Sequence, residues 1–269
     1  MPYAQLPDFR MFYTDEGEGQ PVLLVHGFSC DGSDWSWQIP ALRPDHRVIT
    51  VDLRGHGHSE APPAGYNPRS FAADVAALLK QREVGPVVAM GHSMGGLVVA
   101  ALAVEHPDLV RAIVLVDSAL GIDPAGIPQL RQLIAGLESP ACYQVAEGLF
   151  RNSFYPPACP PHLAELHVRR LLAVPQHVLA QSFAGFINDS AQFTTKPEAE
   201  AYLARVEVPG LCFRAGRNDP QAVAAWERGQ LRHPYSKAVA WEGTGHFLQQ
   251  ERPAEFNAIT KEWMAGLPA

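Results

Sequence analysis

The sequence predicts an α/β fold with a mostly parallel central sheet flanked by helices, and three features carry that prediction. Short β-branched apolar runs recur along the chain, they lack the polar alternation of a half-exposed strand, and helical patterns separate most of them. Runs without alternation suit strands buried on both faces, and strand-helix alternation implies right-handed crossovers between parallel strands. With 269 residues, 47% of them hydrophobic, the chain can bury a large core, roughly three quarters of its unfolded surface.

Taken in order, "RMFYTDEG" (10–17) adds an antiparallel strand at the sheet edge, and "PVLLVHG" (21–27) and "RVITVDL" (47–53) are buried strands. A helix over 68–83, "PRSFAADVAALLKQRE", leads to the strand "PVVAMG" (86–91). The helix "MGGLVVAALAVEHP" (94–107) then leads to the strand "RAIVLVD" (111–117). From Gly121 to Arg205 the alternation stops. Helical stretches such as "GIPQLRQLIAGLE", "PHLAELHVRRLLA" and "HVLAQSFAGFI" are cut there by "FYPPACPP", and no run reads as a strand. Residues 121–205 are therefore expected to form a helical cap over the sheet, with a core domain made of 1–120 and 206–269. A lid over a site is a common use of such an insertion. The alternation resumes with "PGLCFRAG" (209–216), "PQAVAAWERGQLR" (220–232), "KAVAWEG" (237–243) and "PAEFNAITKEWMAGL" (253–267).

Charge and cysteine usage narrow the function classes. Asp plus Glu number 28 against 21 Lys plus Arg, a formal net charge of −7, and the basic residues are scattered singly. No nucleic-acid partner is expected from that distribution. Cys30, Cys142, Cys159 and Cys212 form no C-x-x-C pair, so neither a zinc site nor a compact disulfide framework is expected. The N-terminal stretch has no basic region followed by an apolar core, and no 18-residue apolar run occurs. The expectation is a cytoplasmic protein without membrane insertion, a monomer or homodimer.

Within "VVAMGHSMGGLVVAAL" (87–102) a strand pattern meets a helix pattern at Ser93, with Gly91 and Gly95 two residues to either side. A serine hydroxyl needs a base to become nucleophilic and must stand clear of the backbone to reach a carbonyl carbon. A sharp strand-to-helix turn exposes it, the glycines leave the space a side chain would block, and the helix start aims free amides at a developing oxyanion. This is the G-x-S-x-G nucleophile elbow.

"HGF" (26–28), "DLRGHGHS" (52–59), "GHSMGG" (91–96), "GRND" (216–219) and "GTGHF" (243–247) occur in an order and at intervals that resemble the α/β-hydrolase superfamily over nearly the whole chain. The resemblance implies His246 as general base and Asp219 as the acid that orients it, in the order Ser, Asp, His. Asp117, ending "AIVLVD", is the alternative acid position of some relatives. The resemblance also assigns oxyanion-stabilising backbone N–H groups to Phe28 and Met94, and His26 to bracing its loop. Asp52, Arg54, His56, His58 and Ser59 match the superfamily's structural loop rather than a metal site, and neither metal nor cofactor is expected.

Haloalkane dehalogenases and epoxide hydrolases resemble this fold but carry aspartate at the elbow, where this chain has Ser93. Carbon–carbon bond hydrolases share "SMGG" but usually have a different oxyanion loop from "HGFSCDGSDW". Cofactor-free haloperoxidases use the same triad, which keeps perhydrolysis open as a side activity. The chain looks most like bacterial and metagenomic carboxylesterases, some of which open N-acyl-homoserine lactones. The expected substrate is a small to medium, largely neutral ester or lactone. Trp35, Leu120, Ile122, Phe150, Phe154, Phe183, Phe186 and Phe247 are the expected pocket residues. A receptor that keeps fold and triad without turnover is the rival from another class. Activity is expected to fall at acid pH as the base protonates, near 6.5 for an ordinary imidazole.

Overall fold

The computed structural model describes residues 2–188, 192–216 and 219–268. Eight strands form one sheet: β1 (Tyr3–Gln5), β2 (Arg10–Glu16), β3 (Gln20–Val25), β4 (His46–Val51), β5 (Val87–His92), β6 (Val110–Val116), β7 (Gly210–Ala215) and β8 (Lys237–Trp241). Their spatial order is β1-β2-β4-β3-β5-β6-β7-β8. β2 runs antiparallel to β4 and to β1, and every pairing from β4 to β8 is parallel. The sequence places residues 10–17 at the sheet edge, and they form β2 over Arg10–Glu16. The three-residue β1 lies outside them, too short to show a pattern of its own.

The unalternating runs behave as expected of a sheet covered on both faces: every residue of β5 and of β7 is buried. Helices α1 (Ile39–Leu42), α2 (Pro68–Gln81), α3 (Met94–Glu105), α9 (Pro220–Gln230), α10 (Leu248–Glu251) and α11 (Pro253–Ala265) flank it. α3 is apolar all round, with only its last two residues not fully buried, because it lies between the sheet, α2 and the inserted helices. A second core on the opposite face joins Trp35, Phe213, Phe256 and Trp263.

Among the described residues between β6 and β7 run the α-helices α4 (Ile127–Glu138), α5 (Cys142–Ser153), α6 (Pro161–Leu171), α7 (Gln176–Ala184) and α8 (Lys196–Leu203). Among the described residues of this insertion the only β pairing is an isolated bridge between Ile122 and Thr195. Proline starts α6 at its first position, where no amide partner is lost. All four cysteines are buried and free. No described helix is long and apolar enough to cross a membrane.

Candidate active site

Parallel strands bring their C-terminal ends to one edge, and the loops that leave that edge hold the site. His92 at the end of β5 pairs with Val116 of β6, and Val116 with Phe213 of β7. The residues that follow these strands therefore converge.

Ser93 sits between β5 and α3 with φ 54° and ψ −115°, a left-handed backbone that only surrounding structure can enforce on a serine. Its N–H donates to the Val116 carbonyl at 2.9 Å, and its own carbonyl accepts from Gly96 N–H at 3.0 Å. A Cβ on Gly91 would strike the Gly95 carbonyl, and one on Gly95 would strike the carbonyls of Val25 and His26. Gly91 thus lets the start of α3 fold back on β5, and Gly95 lets the turn pack against the end of β3. Met94 opens α3 fully buried, so its N–H is one of the first-turn amides that lack an intrahelical acceptor.

His246 lies in the loop after β8. Its N–H donates to the Phe154 carbonyl at 2.9 Å, and its carbonyl accepts from His92 Nε2 at 2.8 Å. Phe154, just past α5, also stacks on the imidazole with ring centroids 4.4 Å apart. The carboxylate beside the imidazole is Asp117: its Oδ2 lies 2.5 Å from His246 Nδ1, and both residues are buried. Asp117 follows β6 with φ 41°, and its N–H donates to the Phe213 carbonyl at 2.8 Å.

Asp219, the expected acid, is placed elsewhere. It is exposed, and its carboxylate accepts the Ala222 N–H at 3.0 Å as the N-cap of α9. A helix-cap bond is a strong local use for an aspartate, and it engages this carboxylate away from the imidazole. Arg217 and Asn218 of the "GRND" stretch lie outside the described residues.

Ser93 and His246 open into one cavity of about 420 Å³. Of the expected pocket residues Ile122, Phe150, Phe154, Phe183, Phe186 and Phe247 line it, together with Phe28. Two expected lining residues do not. Trp35 is fully buried in the second core against Phe256, because the turn that carries it points to the far face of the sheet. Leu120 is buried in the main core, and its carbonyl accepts from the Arg214 guanidinium at 3.5 Å.

Four further lining residues, His92, Leu130, Leu149 and Arg214, carry no role in the sequence motifs. His92 contacts the His246 ring (centroids 4.6 Å apart) and lines the cavity. Burial, with the neighbouring His246, pushes it down to about 3, so it stays a neutral Nε2–H donor to the His246 carbonyl. Leu130 and Leu149 add apolar wall, and Arg214 a buried cation. The available signal for Arg214 was a lone charge inside the otherwise apolar "LCFRAG" strand, since an arginine is rarely buried unpaired.

The neighbouring polar cluster braces loops. His26 accepts the Leu53 N–H at Nε2 (3.0 Å) and donates from Nδ1 to the Gly27 carbonyl (2.8 Å), which fixes the "HGF" loop. Asp52 accepts the N–H groups of Gly32 (2.7 Å) and His58 (2.8 Å). Arg54 forms a buried two-pronged pair with Asp74, both bonds 2.6 Å. Burial, with His26 beside it, pushes His56 down to about 3, so it stays neutral.

The model of the alpha/beta hydrolase family matches residues 22–259. Epoxide hydrolase A of Mycobacterium tuberculosis is 28% identical, with 96% of this chain and 95% of that enzyme covered. The soluble epoxide hydrolase of Corynebacterium sp. is 37% identical over 123 residues, a match that spans 46% of this chain and 43% of that enzyme. Among solved structures, a thermophilic esterase from Thermogutta terrifontis superposes with a TM-score of 0.83 at 25% identity, covering 100% of this chain and 98% of the other.

Proposed function

The chain belongs to the alpha/beta hydrolase family, and from that premise we propose that it is a serine carboxylic ester hydrolase for small to medium, largely neutral acyl groups, lactones included. The observation that carries this reading is Ser93, held in a left-handed turn at the mouth of an apolar cavity it shares with His246, whose Nδ1 faces Asp117. In this reading Ser93 Oγ attacks the ester carbonyl while His246 Nε2 takes its proton. The oxyanion is held by the Phe28 and Met94 N–H groups, and Asp117 stabilises the imidazolium. The proton then passes to the leaving alcohol, and a water activated by His246 releases the acid. A lactone is an internal ester and follows the same steps. The helices of residues 127–203 act as the lid, and the four free thiols favour a reducing compartment.

The curated relatives described above are epoxide hydrolases, which makes epoxide opening the second reading. The nucleophile argues against it. A carboxylate that opens an epoxide leaves an ester that water can cleave, whereas a serine alkoxide leaves a stable ether and no turnover.

Turnover of 4-nitrophenyl esters from acetate to decanoate, and of styrene oxide, separates the readings when wild type is compared with folded Ser93→Ala. Multiple ester turnovers lost in the variant are expected. Epoxide hydrolysis without ester hydrolysis would overturn the proposal, and stoichiometric binding without product would favour a receptor.

A further inference from the structure

Behind Asp117, on the side away from His246, lies a buried charge pair that the steps above do not use. Arg214 of β7 directs Nε and Nη2 to the two carboxylate oxygens of Glu227 on α9, at 2.9 and 2.5 Å. Its Nη1 donates to the Ser118 carbonyl at 2.7 Å, and Nη2 reaches the Leu120 carbonyl at 3.5 Å. The same Nη1 stands 3.6 Å from Asp117 Oδ1, which also accepts the Ala215 N–H at 3.2 Å. The Arg214 side chain is 8% exposed and that of Glu227 not at all.

We propose that the Arg214–Glu227 pair is a positioning element for Asp117: Arg214 pins the 117–120 turn by its carbonyls, and Glu227 takes up the guanidinium charge so that Asp117 keeps its own for the imidazole. The inference rests on Asp117 acting as the acid. An arginine this close to Asp117 in a dry interior competes with the imidazolium for the same carboxylate. With Glu227 in two-pronged contact, the three groups carry one net negative charge, and an imidazolium at His246 completes a neutral set. Glu227 does not line the cavity, so it acts through Asp117 and His246.

The other titratable groups around this set, among the described residues, are few. His92 of β5 packs on His246, and Glu251 of α10 accepts the Gly245 N–H at 2.9 Å beside it. The buried Cys212 thiol of β7 lies near Glu227, and burial, with the Glu227 charge, raises it well above the ordinary thiol range, which keeps it neutral.

The test is the pH dependence of kcat/KM for 4-nitrophenyl butyrate in wild type, Glu227→Gln, Glu227→Asp and the isosteric pair Arg214→Met/Glu227→Leu. Glu227→Gln removes the charge that offsets Arg214, so the imidazolium is less favoured and the acid limb moves to lower pH, by about one unit, with KM near wild type. Glu227→Asp restores the charge and returns the limb. The double variant removes both charges, leaves the limb in place, and lowers kcat roughly tenfold because the turn loses its donors. An acid limb unmoved in folded Glu227→Gln overturns the electrostatic role. If that variant does not fold, wild-type kcat in the double variant overturns the positioning role. Asp117→Asn, run alongside, separates the two layers: full activity there sinks the acid assignment itself, whereas its loss with an unmoved Glu227→Gln profile sinks only this inference.

Discussion

At the scale of single residues, the site depends on where two aspartates point. Asp117 and Asp219 both follow strands that end at the same sheet edge, and both have positive φ, 41° and 48°. One turn aims its carboxylate at His246, and the other aims it at the first turn of α9. On the proposed mechanism Asp117→Asn keeps the shape but removes the charge that would hold the imidazolium and its tautomer, so kcat is expected to fall about 10⁴-fold, as in the serine-protease precedent. Asp219→Asn keeps an N-cap side chain suited to a left-handed backbone and should leave kcat near wild type. Asp219→Ala should cost about 1 kcal/mol of stability through the lost cap, read from denaturant midpoints. Strong loss of kcat in Asp219→Asn with none in Asp117→Asn would reverse the assignment. Ser93 and His246 were legible in the sequence because their motifs fix a turn and a loop. Which carboxylate faces His246 was not legible, because both aspartates follow strands that end at the same edge, and the partner each one meets there, His246 Nδ1 or the Ala222 N–H, is not written in the spacing. Trp35 illustrates the same limit: nearness in sequence to the "HGF" loop says nothing about which face of the sheet its turn enters.

At the scale of elements, the inserted helices are fastened to the sheet domain by charge as well as by apolar contact. Asp34, fully buried in the turn before α1, pairs with Arg170 of α6 and lies 3.5 Å from His167 of the same helix. His167 in turn accepts or donates at Tyr155 Oη (2.8 Å) and stacks on Phe247, next to His246. Burial alone would raise the Asp34 carboxyl, but His167 and Arg170 outweigh it and hold the group well below the usual carboxylate range. A depressed carboxylate stabilises the fold above its unfolded value, about 3.9, and that stability is lost as pH falls toward the lower folded value. Asp34→Asn is therefore expected to cost roughly 3 kcal/mol at neutral pH. The gap in unfolding free energy from wild type should hold at neutral pH and narrow below about pH 4. A gap independent of pH down to pH 2 would show that the pair contributes no titrating stability. The helices α4, α6 and α7 announced themselves by continuous helical stretches. The pairing of α6 with residue 34 did not, since it joins positions 136 apart in the chain.

At the scale of the whole molecule, the proposed function makes substrate size a matter of the volume left between the strand ends and the helices above them. The cavity of about 420 Å³ falls in the lower part of the range usual for small-molecule sites, roughly 300–1,000 Å³. Its lining is largely aromatic: Phe183 packs edge-on against Phe28 with centroids 5.3 Å apart, and Phe186 lies 5.2 Å from Phe183. Apolar walls reward each buried methylene by about 0.8 kcal/mol until the chain meets them, after which overpacking opposes further length. Among 4-nitrophenyl esters, kcat/KM should therefore rise from acetate through the short chains and fall before decanoate. Phe186→Ala removes part of that lining, so the optimum should shift to longer chains while acetate turnover changes little. The shift separates a size limit from a chemical one, because Ser93, His246 and Asp117 are untouched. An optimum unchanged in Phe186→Ala, with the variant folded, would mean that the acyl chain leaves the cavity by another side and that the aromatic wall packs the lid without measuring the substrate.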